Sequence, residues 1–315
     1  MVDSKKSWKA WLFLSPAVIL LLIFTVYPII NTILMAFDNR YSVAYQQGDT
    51  ESMVGFRNFV ELFNDQAGIF SNCLKNTMLL CVLTVPVSTM LALLIAVALN
   101  AIKPLQKLLQ TIFFLPYVTN TIAIGMVFAV MFNQVGMDGP NGATSIGVIN
   151  TIIGWFGGKP INWINQNSSY WNNLLVVCVY IVWNALPFKI LVLLGGLQGV
   201  NKQYYEAAKV DGTSRWRTFW RITVPMLSPM LAYVIITGFI GGFKEYSSVV
   251  GIFGETMGPT GTMDGQNLNT MVGYIYKYIG QDNYGMASAA AIVLFIIIFA
   301  VTMLNLYVSK KKVHY

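Results

Sequence analysis

The stretch NYGMASAAAIVLFIIIFAVTMLNLYVS, residues 283–309, contains no charged side chain and lies between Asp282 and Lys310. An α-helix needs about 20 mainly apolar residues to cross the hydrocarbon core of a bilayer. The stretch is longer than that, and it is therefore predicted to form a transmembrane helix.

The same pattern recurs along the chain. Four more long charge-free intervals are bounded by Lys9 and Asp38, Lys75 and Lys103, Lys107 and Asp138, and Arg221 and Lys244. A sixth, residues 174–197, is apolar except for Lys189, and a charged side chain within a span is expected to face a cavity or a partner. We predict an all-α, polytopic membrane protein with spans at about 11–37, 76–100, 109–133, 174–197, 226–253 and 286–308.

The composition excludes several other classes of protein. Hydrophobic residues make up 56% of the chain and charged residues only 10%, against about 25% charged in an ordinary soluble domain. A basic chain can bind nucleic acid, but here the basic residues flank the predicted spans, so no nucleic-acid partner is predicted. His314 is the sole histidine and the three cysteines show no CxxC spacing, so we predict no metal site, no catalytic residues and no enzyme.

The distribution of Lys and Arg predicts the orientation. If residues 1–10 lie in the cytoplasm, the cytoplasmic segments hold 13 of the 20 basic residues and three acidic ones. Short cytoplasmic loops carry the excess of Lys and Arg in membrane proteins. Both termini are therefore predicted to be cytoplasmic, including a basic tail at 309–315, with the six-span domain between them at 11–308.

The most informative loop is NKQYYEAAKVDGTSRWRTFWRITVP, residues 201–225, between the fourth and fifth predicted spans. Asn201 is a suitable cap for a first short helix, and Asp211-Gly212 suits its end because glycine tolerates a positive φ there. Thr213 or Ser214 then caps a second helix. The loop is predicted to form a cytoplasmic elbow of two short helices, with an alanine patch at Ala207 and Ala208 on which another protein could pack.

This loop resembles the EAA loop of binding-protein-dependent ABC importer permeases. The matching residues are Glu206-Ala207-Ala208, Asp211-Gly212 and Ile222-x-Val224-Pro225, with Val224 where the family usually has leucine. Further segments resemble the carbohydrate, maltose-type branch of that family: Leu14-Ser15-Pro16-Ala17, Val26-Tyr27-Pro28, Phe113-Phe114-Leu115-Pro116, Gly195-Gly196-Leu197-Gln198, Gly258-Pro259 and Tyr284-Gly285-Met286-Ala287-Ser288-Ala289.

The resemblance implies a permease in a bacterial or archaeal cell membrane that imports a sugar or oligosaccharide by alternating access. Its loop would couple to a separate ATPase through Glu206, Ala207, Ala208, Asp211 and Gly212. The implied partners are a second, homologous permease, two ATPase subunits, an extracytoplasmic sugar-binding protein and the lipid bilayer. This chain would bind no cofactor, since ATP and Mg would be bound and hydrolysed by the partner subunits.

Polar residues within the spans are the candidate cargo path. Asn184, Phe188 and Lys189 share one face of the fourth predicted span around Pro187. An aromatic ring can stack on a sugar ring while amides and charged groups bind its hydroxyls. By position in the family, the cavity would also include Gly238, Gly241, Gly242 and Glu245 of the fifth span.

Three questions remain open from the sequence. Lys189 could contact the cargo, or it could pair with Glu245 to neutralise two costly charges. These charges also leave an acidic sugar or a sugar phosphate as an alternative cargo. An ion-coupled secondary transporter is the rival class, although it would need protonatable groups at mid-membrane and Glu245 alone comes close to this.

Overall fold

The computed structural model describes residues 7–38, 55–64, 68–102, 106–136, 144–165, 167–254, 258 and 268–312. Three of the basic residues assigned to the cytoplasm, Lys5, Lys6 and Lys103, lie outside these ranges, as do Pro259 and 313–315. The described chain is almost entirely helical, which confirms the predicted all-α class. The helices are α1 (Ser7–Leu21), α2 (Tyr27–Ala36), α3 (Arg57–Phe63), α4 (Ile69–Ala101), α5 (Gln106–Val118), α6 (Thr121–Phe132), α7 (Val148–Trp155), α8 (Tyr170–Gly199), α9 (Lys202–Val210), α10 (Arg215–Thr218), α11 (Val224–Met226), α12 (Ser228–Phe243), α13 (Ser247–Phe253), α14 (Met271–Ile279) and α15 (Tyr284–Lys312).

Short irregular elements join some of these helices. A π-helical turn, Leu22–Val26, joins α1 to α2, and a second, Phe219–Thr223, joins α10 to α11. Two three-residue strands, β1 (Gln134–Gly136) and β2 (Thr144–Ile146), form an antiparallel pair in which Gln134 faces Ile146.

Within the described residues, four helical stretches are long and apolar enough to cross a membrane. They are Trp11–Ala36, Ile69–Ala101, Tyr170–Gly199 and Tyr284–Lys311. Two bent helix pairs, Gln110–Val118 with Thr121–Phe132 and Arg215–Met226 with Ser228–Phe243, bring the total to as many as six if each pair crosses once. These stretches and pairs overlap the six intervals predicted from charge.

The predicted third span, 109–133, is not one continuous helix. Its two halves meet at a bend of 101°. The side chain of Asn120 accepts hydrogen bonds from the backbone amides of Ile122 (2.9 Å) and Ala123 (3.3 Å), so it caps the second half. The first amides of a helix would otherwise need carbonyl acceptors from a preceding helical turn. Because the cap supplies an acceptor instead, the chain can change direction there.

The predicted fifth span, 226–253, also differs from one continuous helix. A bend of 69° precedes α12, where Pro229 lacks the amide that would continue the preceding helix. At its other end α12 stops at Phe243, and a new helix begins at Ser247. Gly241 and Gly242 weaken this end of the helix, since glycine loses more conformational entropy than other residues when it is ordered.

The chain divides into two compact units. The first comprises the described parts of Met1–Gly68 and Ile275–Val293, and in it the Asn58 amide donates a 2.8 Å hydrogen bond to the Ala36 carbonyl. The second comprises the described parts of Ile69–Tyr274 and Leu294–Tyr315.

The core of the second unit lies mainly between α4 and α8, which pack along much of their length. One cluster joins Leu80, Tyr180 and Val249, and another joins Leu93, Leu193 and Val234. The candidate functional residues lie on elements of this unit.

Candidate functional site

A cavity of about 280 Å³ opens among α4, α5, α8 and α12. Its walls include all seven residues that the sequence analysis assigned to the cargo path: Asn184, Phe188, Lys189, Gly238, Gly241, Gly242 and Glu245. Two distant segments of the sequence, 184–189 and 238–245, therefore line one space.

Lys189 is tied to α4. Its side chain is 4% exposed, and its ammonium donates to Ser88 Oγ (2.7 Å), Thr89 Oγ1 (2.9 Å) and the Val85 carbonyl (3.2 Å). A lysine ammonium has three N–H donors, and three acceptors on α4 therefore match its full capacity. Burial of this charge is compensated by these bonds.

Glu245 is not the partner of Lys189. Among the described residues no ion pair joins the two side chains, so of the two alternatives left open by the sequence the pairing is not formed. Instead, Glu245 Oε1 accepts a 3.1 Å hydrogen bond from the amide of Ser248 in the first turn of α13. A carboxylate is favourable at a helix N-terminus because it satisfies a free amide and complements the helix dipole.

The hydroxyl groups of the cavity were not among the residues predicted from the sequence. Thr84, Ser88 and Thr237 line it, and each donates its hydroxyl hydrogen to the carbonyl four residues earlier, at 2.7, 2.6 and 2.7 Å. The sequence could have indicated the two hydroxyls of α4, because Thr84 and Ser88 lie one helical turn apart on a single face of an apolar span.

An aromatic pair forms another part of the wall. The rings of Tyr117 and Phe188 stack with their centroids 6.0 Å apart and an interplanar angle of 19°. The ring of Tyr233 is tilted against that of Phe188, with their centroids 6.3 Å apart. Stacked aromatic rings offer a flat apolar surface beside the polar groups of the cavity.

Glycines bring α12 close to its neighbours. A Cβ at Gly238 would lie 3.1 Å from Val85 Cγ1 and 3.3 Å from Lys189 Nζ. A Cβ at Gly242 would lie 2.8 Å from the sulfur of Cys81. Gly241 is different, because a Cβ there would meet nothing within 4 Å. Gly238 and Gly242 thus allow close helix packing, while Gly241 faces open space.

The 201–225 segment forms the predicted elbow. Asn201 Oδ1 accepts from the amide of Gln203 (3.0 Å) and Ser214 Oγ from the amide of Arg217 (3.3 Å), so these residues cap the two helices. Between them Gly212 has φ +65°, and its amide donates to the Lys209 carbonyl.

The amide of the next residue, Thr213, donates to the Ala208 carbonyl at 2.9 Å. Together with the bond from Gly212 it forms a Schellman motif, the C-terminal cap that needs a left-handed residue at this position.

The elbow exposes part of its surface. Glu206, Ala207, Asp211 and Gly212 are exposed, whereas Ala208 is buried, so the predicted patch contains Ala207 but not Ala208. Val210 is 88% exposed at the end of α9. A recess of about 460 Å³ lies beside this surface, lined in part by Ala207, Asp211, Arg217 and Arg221.

Aromatic side chains connect the elbow to the span that follows. Trp216, Phe219 and Trp220 form a cluster with centroid distances of 5.0–6.0 Å, and Phe219 also packs against the core cluster around Leu193. The elbow therefore continues directly into the helical core.

Comparison with known proteins gives consistent matches. Residues 88–314 match the family described as "Binding-protein-dependent transport system inner membrane component". The chain is 30% identical to the arabinooligosaccharides transport system permease protein AraP of Bacillus subtilis over 309 residues, 97% of this chain and 90% of AraP. It is 28% identical to the lactose transport system permease protein LacF of Rhizobium radiobacter over 305 residues, 96% and 94% of the two chains.

A solved structure shows the same fold. A chain of a bacterial ABC transporter involved in import of the acidic polysaccharide alginate superimposes with a TM-score of 0.76 at 23% identity, covering 98% of this chain and 96% of that one. A chain of the alginate transporter in complex with alginate pentasaccharide-bound periplasmic protein gives a TM-score of 0.79.

Proposed function

The chain belongs to the binding-protein-dependent transport system inner membrane components, and from this premise we propose that it is the permease subunit of an ABC importer for a sugar or oligosaccharide. The observation that carries the proposal is the cavity among the apolar helices, which is lined by stacked aromatic rings together with amide, hydroxyl and carboxylate groups. Such a wall combines a stacking surface with hydrogen-bonding groups, the combination that a sugar ring requires.

The named relatives support a sugar as cargo. AraP is named for arabinooligosaccharides and LacF for lactose, and both align with nearly the whole chain. In our proposal the cargo passes through the cavity, where it contacts Asn184, Phe188, Gly238, Gly241 and Glu245.

The elbow supports coupling to separate ATPase subunits. Its helix α9 presents Glu206 and Ala207 to the surroundings and ends in the exposed cap at Asp211 and Gly212, so a partner groove could receive it without unfolding the permease. We assign ATP and Mg to those partners and no catalytic step or cofactor to this chain. Closure of the ATPase pair would rock the helices and switch the side to which the cavity opens.

The remaining partners and the orientation complete the proposal. A second, similar permease would form the other half of the pathway, and an extracytoplasmic binding protein would deliver the sugar, as the periplasmic protein accompanies the alginate transporter. The elbow and both termini would lie in the cytoplasm of a cell whose inner or plasma membrane holds the complex, in agreement with the Lys and Arg bias.

The test is transport by the purified complex in vesicles. ATPase subunits should co-purify with the chain, and uptake of a sugar delivered by the binding protein should require ATP on the elbow side. Uptake that instead follows an imposed proton or sodium gradient, without ATP, would identify a secondary transporter and reject the proposal.

A further inference from the structure

The cavity wall presents mainly hydrogen-bond acceptors. Because Thr84 and Thr237 donate their hydroxyl hydrogens to their own helices, their oxygens offer only lone pairs to a molecule in the cavity. Ser88 does the same, and its oxygen already accepts from Lys189.

The two charged groups of the cavity are unequally available. The three N–H donors of Lys189 match three acceptors on α4, so its ammonium has none left for a cargo. Glu245 uses one oxygen for a single backbone amide, which leaves acceptor sites on a partly exposed carboxylate. The Glu245 carboxylate is therefore available to a molecule in the cavity, whereas the Lys189 ammonium is engaged by α4.

Donors on the wall are few. Among the described residues lining the cavity, the side chains of Asn184 and Tyr117 have donors that are not engaged within the protein. A carboxylate or phosphate needs several donors to replace its hydration, and an unpaired charge taken out of water is costly. A neutral sugar instead brings many hydroxyl donors, which match an acceptor wall.

We propose that Glu245 is a specificity-determining residue that rejects anionic cargo, and that Lys189 ties α8 to α4 and does not bind cargo. The cargo class is then a neutral, hydroxyl-rich sugar, and acidic sugars and sugar phosphates are excluded. This inference rests on the proposed function for its cargo, but the charge of the cavity is measurable without transport.

The test uses thiol-specific thiosulfonate reagents that carry either a trimethylammonium or a sulfonate group. A cysteine is placed at Gly241, which lines the cavity and has room for a Cβ, and its labelling rates are measured in the purified complex. Gly154→Cys is the matched control, since this helical glycine also has no atom within 4 Å of a Cβ and lies outside the cavity. The labelling of the parental protein, with native Cys73, Cys81 and Cys178, is subtracted.

We expect the ratio of cationic to anionic labelling rates to be about tenfold higher at Gly241→Cys than at Gly154→Cys, because the carboxylate attracts one reagent and repels the other. Adding Glu245→Gln should remove most of this preference, while Glu61→Gln, which removes an exposed carboxylate outside the cavity, should not. Lys189→Met should leave the cationic preference in place.

Three results would overturn the proposal. They are faster labelling by the anionic reagent, a cationic preference that remains after Glu245→Gln, and the absence of labelling at both Gly241→Cys and Thr237→Cys. The second cysteine, also on the cavity wall, guards against a local effect of replacing Gly241. If the parental complex shows no ATP-driven sugar uptake, the proposed function is rejected instead. That result would leave the labelling ratio unaffected.

Discussion

Gly125 and Gly251 lie at a crossing where two helix backbones touch. A methyl group added at Gly125 would lie 2.7 Å from the Cα of Gly251, and one added at Gly251 would lie 3.0 Å from the Cα of Gly125. The crossing joins α6 to α13, the two short helices that follow the breaks in the predicted third and fifth spans. The absence of both side chains therefore permits this contact.

Gly125→Ala should destabilise the protein because backbone atoms cannot move aside as a flexible side chain can. Overpacking of this kind costs about 1–3 kcal/mol, which should lower the thermal midpoint of the purified protein by several degrees. Gly154→Ala is the control, since that helical position is open and alanine favours helix. An unchanged midpoint for Gly125→Ala would show that the two helices do not cross this closely.

Ser88→Ala should destabilise the protein by leaving one N–H of the buried Lys189 ammonium without its partner. Loss of one partner of a buried hydrogen bond costs about 1–3 kcal/mol. In Ser88→Ala combined with Lys189→Met, the charge is gone and an apolar chain of similar length fills the space, so we expect a smaller cost than in Ser88→Ala alone. Thermal midpoints of the four proteins in this double-mutant cycle measure the coupling. If the losses in thermal midpoint of the two single variants simply add in the double variant, the 2.7 Å hydrogen bond between Lys189 and Ser88 is contradicted.

The sequence was sufficient to locate the helices that are long and apolar enough to cross a membrane, because a charge-free interval reflects the energetic cost of charges in lipid. It did not predict the position of the bend in the third span. The bend before Thr121 depends on whether the side chain of Asn120 turns back to its own amides, and local sequence leaves that choice to tertiary packing.

The cavity was predictable only in part, because its walls also depend on tertiary packing. Helical spacing places Asn184, Phe188 and Lys189 on one face of α8, but it does not show which helix lies opposite. Lys189 could reach Glu245 or α4, and the close approach of α4 determines the outcome. The ends of the elbow helices follow local capping signals, and there Asn201, Gly212 and Ser214 form the expected caps.

Gly212→Val should impair coupling through the backbone. The residue has φ +65° and no neighbouring atom within 4 Å of a Cβ, so strain, and not collision, is the expected effect. A β-branched residue is strongly disfavoured in this conformation, whereas asparagine tolerates it. We expect cargo-stimulated ATP hydrolysis to fall several-fold in Gly212→Val and to stay near the parental rate in Gly212→Asn. Equal rates in both variants would mean that the cap does not contribute to coupling.

Phe188→Leu should weaken the interaction with cargo while preserving an apolar side chain. In our proposal the cargo stacks on the Phe188 ring, which leucine removes, and an aromatic stacking contact contributes about 0.5–1.5 kcal/mol beyond its buried area. The KM for sugar uptake should rise about two- to tenfold, with Phe188→Tyr close to the parental value. If Phe188→Leu and Phe188→Tyr change the KM equally, the Phe188 ring does not contact the cargo.

Ala207 offers a direct test of docking, because it is exposed on α9 and its replacement does not disturb the core. Arginine at this position adds a long charged side chain where a partner would pack closely, and Ala207→Arg should reduce co-purification of ATPase subunits and abolish uptake. Ala207→Ser changes the polarity but hardly the size, so it should retain both. The arginine variant should still reach the membrane at the parental level, since the folded permease has space for the side chain. If Ala207→Arg binds ATPase normally and transports at the parental rate, the exposed face of α9 is not where force enters the permease.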